Sequence, residues 1–142
     1  MTPEKAVENK IKTSLEAQGY YFNKNFGGAH SKKGIPDIIG VGNGHFFAVE
    51  VKKIQGGNPT PVQIRHLQQI AKNGGLAYLA CGTEVTQAIQ YPNQPMSTIY
   101  QYDMSDIAPE DISVSLAHSI WTKRPKNVNV VQITMKEGLA YA

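Results

Sequence analysis

A chain of 142 residues, 41% hydrophobic and 18% charged, has the profile of one compact globular domain, and its formal net charge of +3 is too small to diagnose a nucleic-acid binder. A single cysteine excludes an intramolecular disulfide framework, and no apolar run approaches the roughly 20 residues of a membrane span. The first residues (Met1, Thr2, Pro3, Glu4, Lys5) lack a signal-peptide core, so a cytoplasmic setting without a membrane partner is expected. Charge is unevenly spread: residues 1–82 carry ten Lys and Arg against five Asp and Glu, whereas residues 83–142 carry four against six. The first part thus has the electrostatics expected beside a polyanion.

Thr2-Pro3 reads as a helix cap followed by proline at the first helical position, and Gly19 as a stop. Val7, Ile11 and Leu15 give that helix one apolar stripe. Tyr20–Phe26 reads as a short strand, broken by Gly27-Gly28 and a basic loop of His30, Ser31, Lys32 and Lys33. Two extended runs follow, Ile35–Val41 and His45–Lys53, around Gly42-Asn43-Gly44. Asn-Gly is a strong hairpin signal, because a type I′ turn needs positive φ at both central positions. Thr60-Pro61 opens a second helix that closes at Asn73-Gly74-Gly75, and Leu76–Cys81 reads as a buried strand. The order of helices and strands predicts an α/β layout, a mixed sheet flanked by helices. Beyond residue 82 the pattern weakens: a short helix over Thr83–Gln90, strands over Ser97–Tyr102 and Val128–Thr134, and a helix starting near Pro109. Residues 83–142 are expected to form a small α+β extension that completes the fold or builds a dimer interface.

With Asn43 and Gly44 as the two turn residues, cross-strand partners sum to 87, which sets Asp37 opposite Glu50. Alternation puts Lys52 on the face of Glu50, with Ile39, Val41, Phe46 and Ala48; Ile38, Phe47, Val49 and Val51 line the other. Both faces are mainly apolar, as in a central hairpin buried on both sides, with a charged cluster at one end. Two carboxylates directly opposite stand about 5 Å apart at Cβ and repel. One must then hold its proton unless a cation lies between them. Hard oxygen ligands at this spacing suit Mg²⁺ or Mn²⁺, and Lys52 could neutralise a developing oxyanion. The competing reading is a partly exposed Glu50–Lys52 ion pair at a strand end, with Asp37 solvated.

Pro36-Asp37 followed by Glu50-Val51-Lys52 resembles the signature of the PD-(D/E)xK nucleases. The wider run of Gly34-Ile35-Pro36-Asp37-Ile38-Ile39-Gly40, Ala48-Val49-Glu50-Val51-Lys52-Lys53 and Thr60-Pro61-Val62-Gln63 is similar to the virus-type replication-repair nuclease domain and to archaeal Holliday-junction resolvases. The resemblance spans residues 4–82 and implies a restriction-endonuclease-like core in residues 1–82. It also implies Asp37, Glu50 and the Val51 carbonyl as Mg²⁺ or Mn²⁺ ligands and Lys52 as the catalytic lysine. Many such nucleases use a first-helix glutamate; Glu8 matches best, lying about 20° from Leu15 on a helical wheel. Glu4, one turn earlier, is better explained as an acid favoured by a helix N-terminus.

Gln63 has two accounts, a capping-box partner of Thr60 or a residue beside the active-site lysine. The resemblance implies that His30, Ser31, Lys32 and Lys33, with Lys53, contact DNA phosphates without reading bases. Cys81 reads as a buried thiol, His66 and His118 as isolated, and Trp121 as a helix-end core aromatic before a solvated basic loop. The expectation is a metal-dependent endonuclease selecting branched DNA, working as a homodimer because a junction has two strands to cut. A sequence-specific restriction-type nuclease and a DNA-binding module dependent on a partner are the alternatives.

Overall fold

The computed structural model describes residues 1–25, 33–92 and 94–136. Helix α1 (Pro3–Ala17) starts where expected: the Thr2 hydroxyl accepts from the Lys5 N–H at 3.1 Å. Strands β1 (Tyr21–Lys24), β2 (Ile38–Gly42) and β3 (His45–Val51) follow, then α2 (Pro61–Lys72), β4 (Leu76–Ala80), α3 (Glu84–Gln90) and β5 (Ile99–Asp103). Helix α4 (Val114–Thr122) and β6 (Val130–Thr134) complete the described chain. The strands form one mixed six-stranded sheet in the order β1-β2-β3-β4-β6-β5, so the protein is α/β with helices on both faces.

β1, β2 and β3 are an antiparallel meander, and α2 carries the chain from β3 to a parallel β4. Asn43 and Gly44 both take positive φ, 51° and 80°, and the ladder pairs Gly42 with His45 through to Ile38 with Val49. That is the expected register. The ladder stops at Ile38, three residues later than the sequence pattern indicated. Proline explains the stop: the next pair outward on this side would set Val51 against Pro36, which has no N–H to give.

Ile38, Phe47, Val49 and Val51 pack with Ile11 and Leu15 of α1 and Val85 and Ile89 of α3. Ala48, Ala77 and Leu79 face Ile64 and Leu67 of α2 and Ile120 and Trp121 of α4. At the turn end the expectation of burial fails, since Val41 and Phe46 are 51% and 43% exposed. They lie on the α2 face where that helix has already ended at Lys72, with Gly75 beside the Phe46 ring.

Residues beyond 82 join the same sheet and the same core. β6 pairs antiparallel with β4, and β5 lies parallel to β6 on the outside. The helix expected from Pro109 is split: a 3-10 turn covers Pro109–Asp111, Ile112 is extended, and the Ser113 hydroxyl restarts the helix by accepting from Leu116 N–H at 3.0 Å. Among the described residues no helix is long and apolar enough to cross a membrane.

Candidate active site

The site forms where the hairpin ends. Asp37 sits just ahead of β2, and its Oδ2 accepts from the Val51 N–H at 2.8 Å, replacing the carbonyl that a continued ladder would have offered. The Val51 C=O leaves the strand on the same side and finds no backbone donor at Pro36. Pro36-Asp37 thereby leaves one carbonyl and one carboxylate together at the strand end.

Glu50 and Lys52, on the α2 face of β3, are only 4% and 6% exposed, which rules out a solvated ion pair at a strand end. Their charged groups are 3.6 Å apart. Gln63 closes the group: its Oε1 accepts from Lys52 Nζ at 3.2 Å, and its Nε2 donates to Glu50 Oε2 at 3.2 Å. The same Oε1 accepts from Thr60 N–H at 3.0 Å, while Gln63 N–H donates to the Thr60 hydroxyl at 3.2 Å. The capping box is present, and it holds the Gln63 amide beside Lys52 and Glu50.

Burial and the neighbouring Asp37 carboxylate push the Glu50 carboxyl up to about 9, against the opposing pull of Lys52. Glu4 on α1 adds the smallest of the repulsions that raise it. The shift favours the neutral form of the Glu50 carboxyl at neutral pH.

Glu8 is buried, as its place on the stripe indicated, but its oxygens meet lysines. Lys24 Nζ donates to both at 2.6 Å, Lys5 Nζ lies at 3.0 Å and Lys12 Nζ at 3.7 Å. Burial alone would raise the Glu8 carboxyl; the bonds from Lys24 and Lys5 outweigh it and hold the carboxyl below its ordinary value. Lys24 in turn feels the charge of Asp37, so Glu8 reaches the acidic pair only through a lysine. Lys24 is the residue that reading the sequence missed. The β1 register would have revealed it, since Lys24 pairs with Ile38, next to Asp37.

Lys33 is exposed, and its backbone is fixed by the His66 ring on α2, 3.0 Å from the Lys33 carbonyl oxygen. Gly34 follows at φ +79°, so close to Val62 that a Cβ would lie 2.5 Å from a methyl carbon. His66 thus braces the backbone at Lys33. Lys53 is exposed beside Gly56 and Gly57. His30, Ser31 and Lys32 lie outside the described residues.

Among the described residues no group of three or more His, Cys, Asp and Glu side chains is gathered as a metal cage. What the site offers is a smaller set of hard oxygen donors: the Asp37 and Glu50 carboxylates and the Val51 carbonyl. Mg²⁺ and Mn²⁺ bind to such sets through one or two carboxylates, with waters and phosphate filling the remaining positions. Comparison with family models, curated proteins and solved structures finds no match to this chain.

Proposed function

We propose that the protein is a Mg²⁺- or Mn²⁺-dependent endonuclease that cuts the DNA backbone with preference for branched structures, on a restriction-endonuclease-like core of the PD-(D/E)xK type. The observation that carries this reading is the convergence at the hairpin end of buried Glu50 and Lys52, which share the half-buried Gln63 amide, with half-buried Asp37, fixed by the Val51 N–H. Two acids brought together beside apolar neighbours repel, and a divalent cation bound through one or two carboxylates offsets that repulsion.

Asp37, Glu50 and the Val51 carbonyl would hold the cation, which when bound supplies Lewis-acid stabilisation of the phosphoryl oxygens and lowers the pKa of water. Lys52, oriented by Gln63, places its ammonium where negative charge grows on the phosphate in the transition state. Gln63 keeps that ammonium from collapsing fully onto Glu50. The Lys33 and Lys53 side chains, exposed on either side of the strand end, would take the flanking backbone. A homodimer with two such sites is the form suited to paired cuts.

The test is incubation of the pure protein with labelled linear duplex, flap and four-way-junction DNA in Mg²⁺, Mn²⁺ or EDTA. Metal-dependent cutting of the branched substrates is expected. Cutting of linear duplex at one fixed place would establish the restriction-type alternative, and binding without cutting in any metal the partner-dependent module. Lys52→Ala should keep DNA binding and lose cleavage by several orders of magnitude; normal cutting by this variant overturns the role given to Lys52.

A further inference from the structure

We infer that a second anion site, for a backbone phosphate of the bound DNA strand, lies in the cleft between Ile54–Gln55 and Thr122–Asn129, with Arg124 and Lys126 as its cations. The inference rests on the nuclease reading and extends it to the C-terminal part of the chain. The cleft has a volume of about 350 Å³ and is lined by Gln55, Arg124, Lys126, Asn127 and Asn129 among others.

Its charge is one-sided. Three of the four Lys and Arg after residue 82 fall within Lys123–Lys126, and no Asp or Glu occurs between residues 111 and 137. The other wall belongs to a stretch, residues 51–83, that also has no acid. Arg124 is held rigid: Nε donates to the Val128 carbonyl at 2.8 Å, Nη1 to Trp121 at 3.0 Å and Nη2 to Ile54 at 2.9 Å. Its guanidinium lies 3.7 Å over the Trp121 ring. Carbonyls and an aromatic face orient a cation without neutralising it, and among the described residues no carboxylate forms an ion pair with Arg124. Glu84 reaches the cleft wall, but its carboxylate is bonded to the Asn129 amide at 2.7 Å. With three of its five N–H groups on carbonyls, Arg124 keeps two donors and its full charge beside an open polar cleft that Lys126 also lines.

The cleft is also in the right place. Lys52 N–H donates to the Ala80 carbonyl, and the next β4-side residue, Cys81, donates to the Asn129 carbonyl. From Lys52 to the cleft wall is thus two strand spacings, roughly 10 Å. That matches the axial rise of about three nucleotides of one strand. The Arg124 bond to the Ile54 carbonyl also joins the cleft to the segment two residues after Lys52.

The experiment is ¹⁵N NMR titration of the full chain with a short four-way-junction oligonucleotide in EDTA, reading the Arg124 Nε–H and the side-chain amides of Asn127, Asn129 and Gln63. Fluorescence anisotropy of wild type and Lys126→Ala at several salt concentrations accompanies it. Shifts at both the cleft and Gln63 are expected. Lys126→Ala should bind roughly three- to tenfold more weakly, with a salt slope shallower by about one. Shifts at Gln63 alone, or an unchanged slope, overturn the cleft site and leave the nuclease reading standing. Shifts in the cleft alone support the phosphate site and count against a catalytic centre at Gln63. No shift anywhere overturns both.

Discussion

Glu50 decides most at the scale of single residues. Its carboxyl, raised to about 9 by burial and by Asp37, holds a proton in the folded protein that an unfolded chain gives up near its ordinary value of 4.5. The native state then binds more protons than the unfolded state between these values, so stability falls as pH rises from about 4.5 to about 9. In EDTA, melting temperatures measured across this window should decline, and Glu50→Gln should flatten the decline. Mn²⁺ should raise the melting temperature of the wild type progressively more toward pH 9, because an ion that displaces the proton competes less well in acid. A metal effect equal at pH 5 and pH 8.5, or one retained by Glu50→Gln, would remove the acidic pair from the ion site. Glu8 behaves oppositely: with its carboxyl lowered by lysines, its contribution is present above its unfolded value and lost as acid protonates it.

At the scale of elements, the α2 N-terminus and the site share one residue. Thr60→Ala removes the cap hydroxyl and should cost about 0.5–2 kcal/mol in chemical denaturation while leaving Lys52 near its place. Gln63→Ala should cost a similar amount and also release Lys52 and Glu50 from their shared amide partner. A fall in cleavage rate much larger for Gln63→Ala than for Thr60→Ala would separate positioning from helix stability; equal falls would assign Gln63 to the cap alone. The hairpin carries a second constraint at Gly40, where a Cβ would meet the Tyr21 carbonyl oxygen at 2.2 Å and the Phe47 ring at 2.8 Å. Gly40→Ala should therefore destabilise by roughly 1–3 kcal/mol, measured by thermal or urea unfolding.

At the scale of the molecule, the site depends on residues far from it in sequence. β4 is paired on one side with β3 and on the other with β6, and Trp121, Ile120 and Val131 complete the core under α2. A fragment of residues 1–82 would leave β4 as a bare edge and expose that core. It should give neither a cooperative melt nor dispersed amide signals; a well-folded fragment would mean that the later strands are an addition and not part of the structural unit. The Arg124 bond to the Ile54 carbonyl also links the last third of the chain to the loop that follows Lys52.

Local chemistry was legible in the sequence wherever a short segment decides its own geometry. Asn43-Gly44 imposed the turn and hence the register that brings Asp37 toward Glu50, Thr60-Pro61 and Gln63 set the helix start, and period-2 alternation sorted the two faces of β3. Pairings between distant segments were not legible, because no local rule specifies which strand lies beside which. The docking of Lys24 on Glu8, the placement of β6 beside β4, and the bracing of Lys33 by His66 all arise from tertiary contacts. So does the protonation of Glu50, which requires that water be excluded by residues from α2 and the sheet at once. A sequence states charges and spacings; only packing sets the dielectric around them, and that decides whether two neighbouring acids keep a proton or take a metal ion.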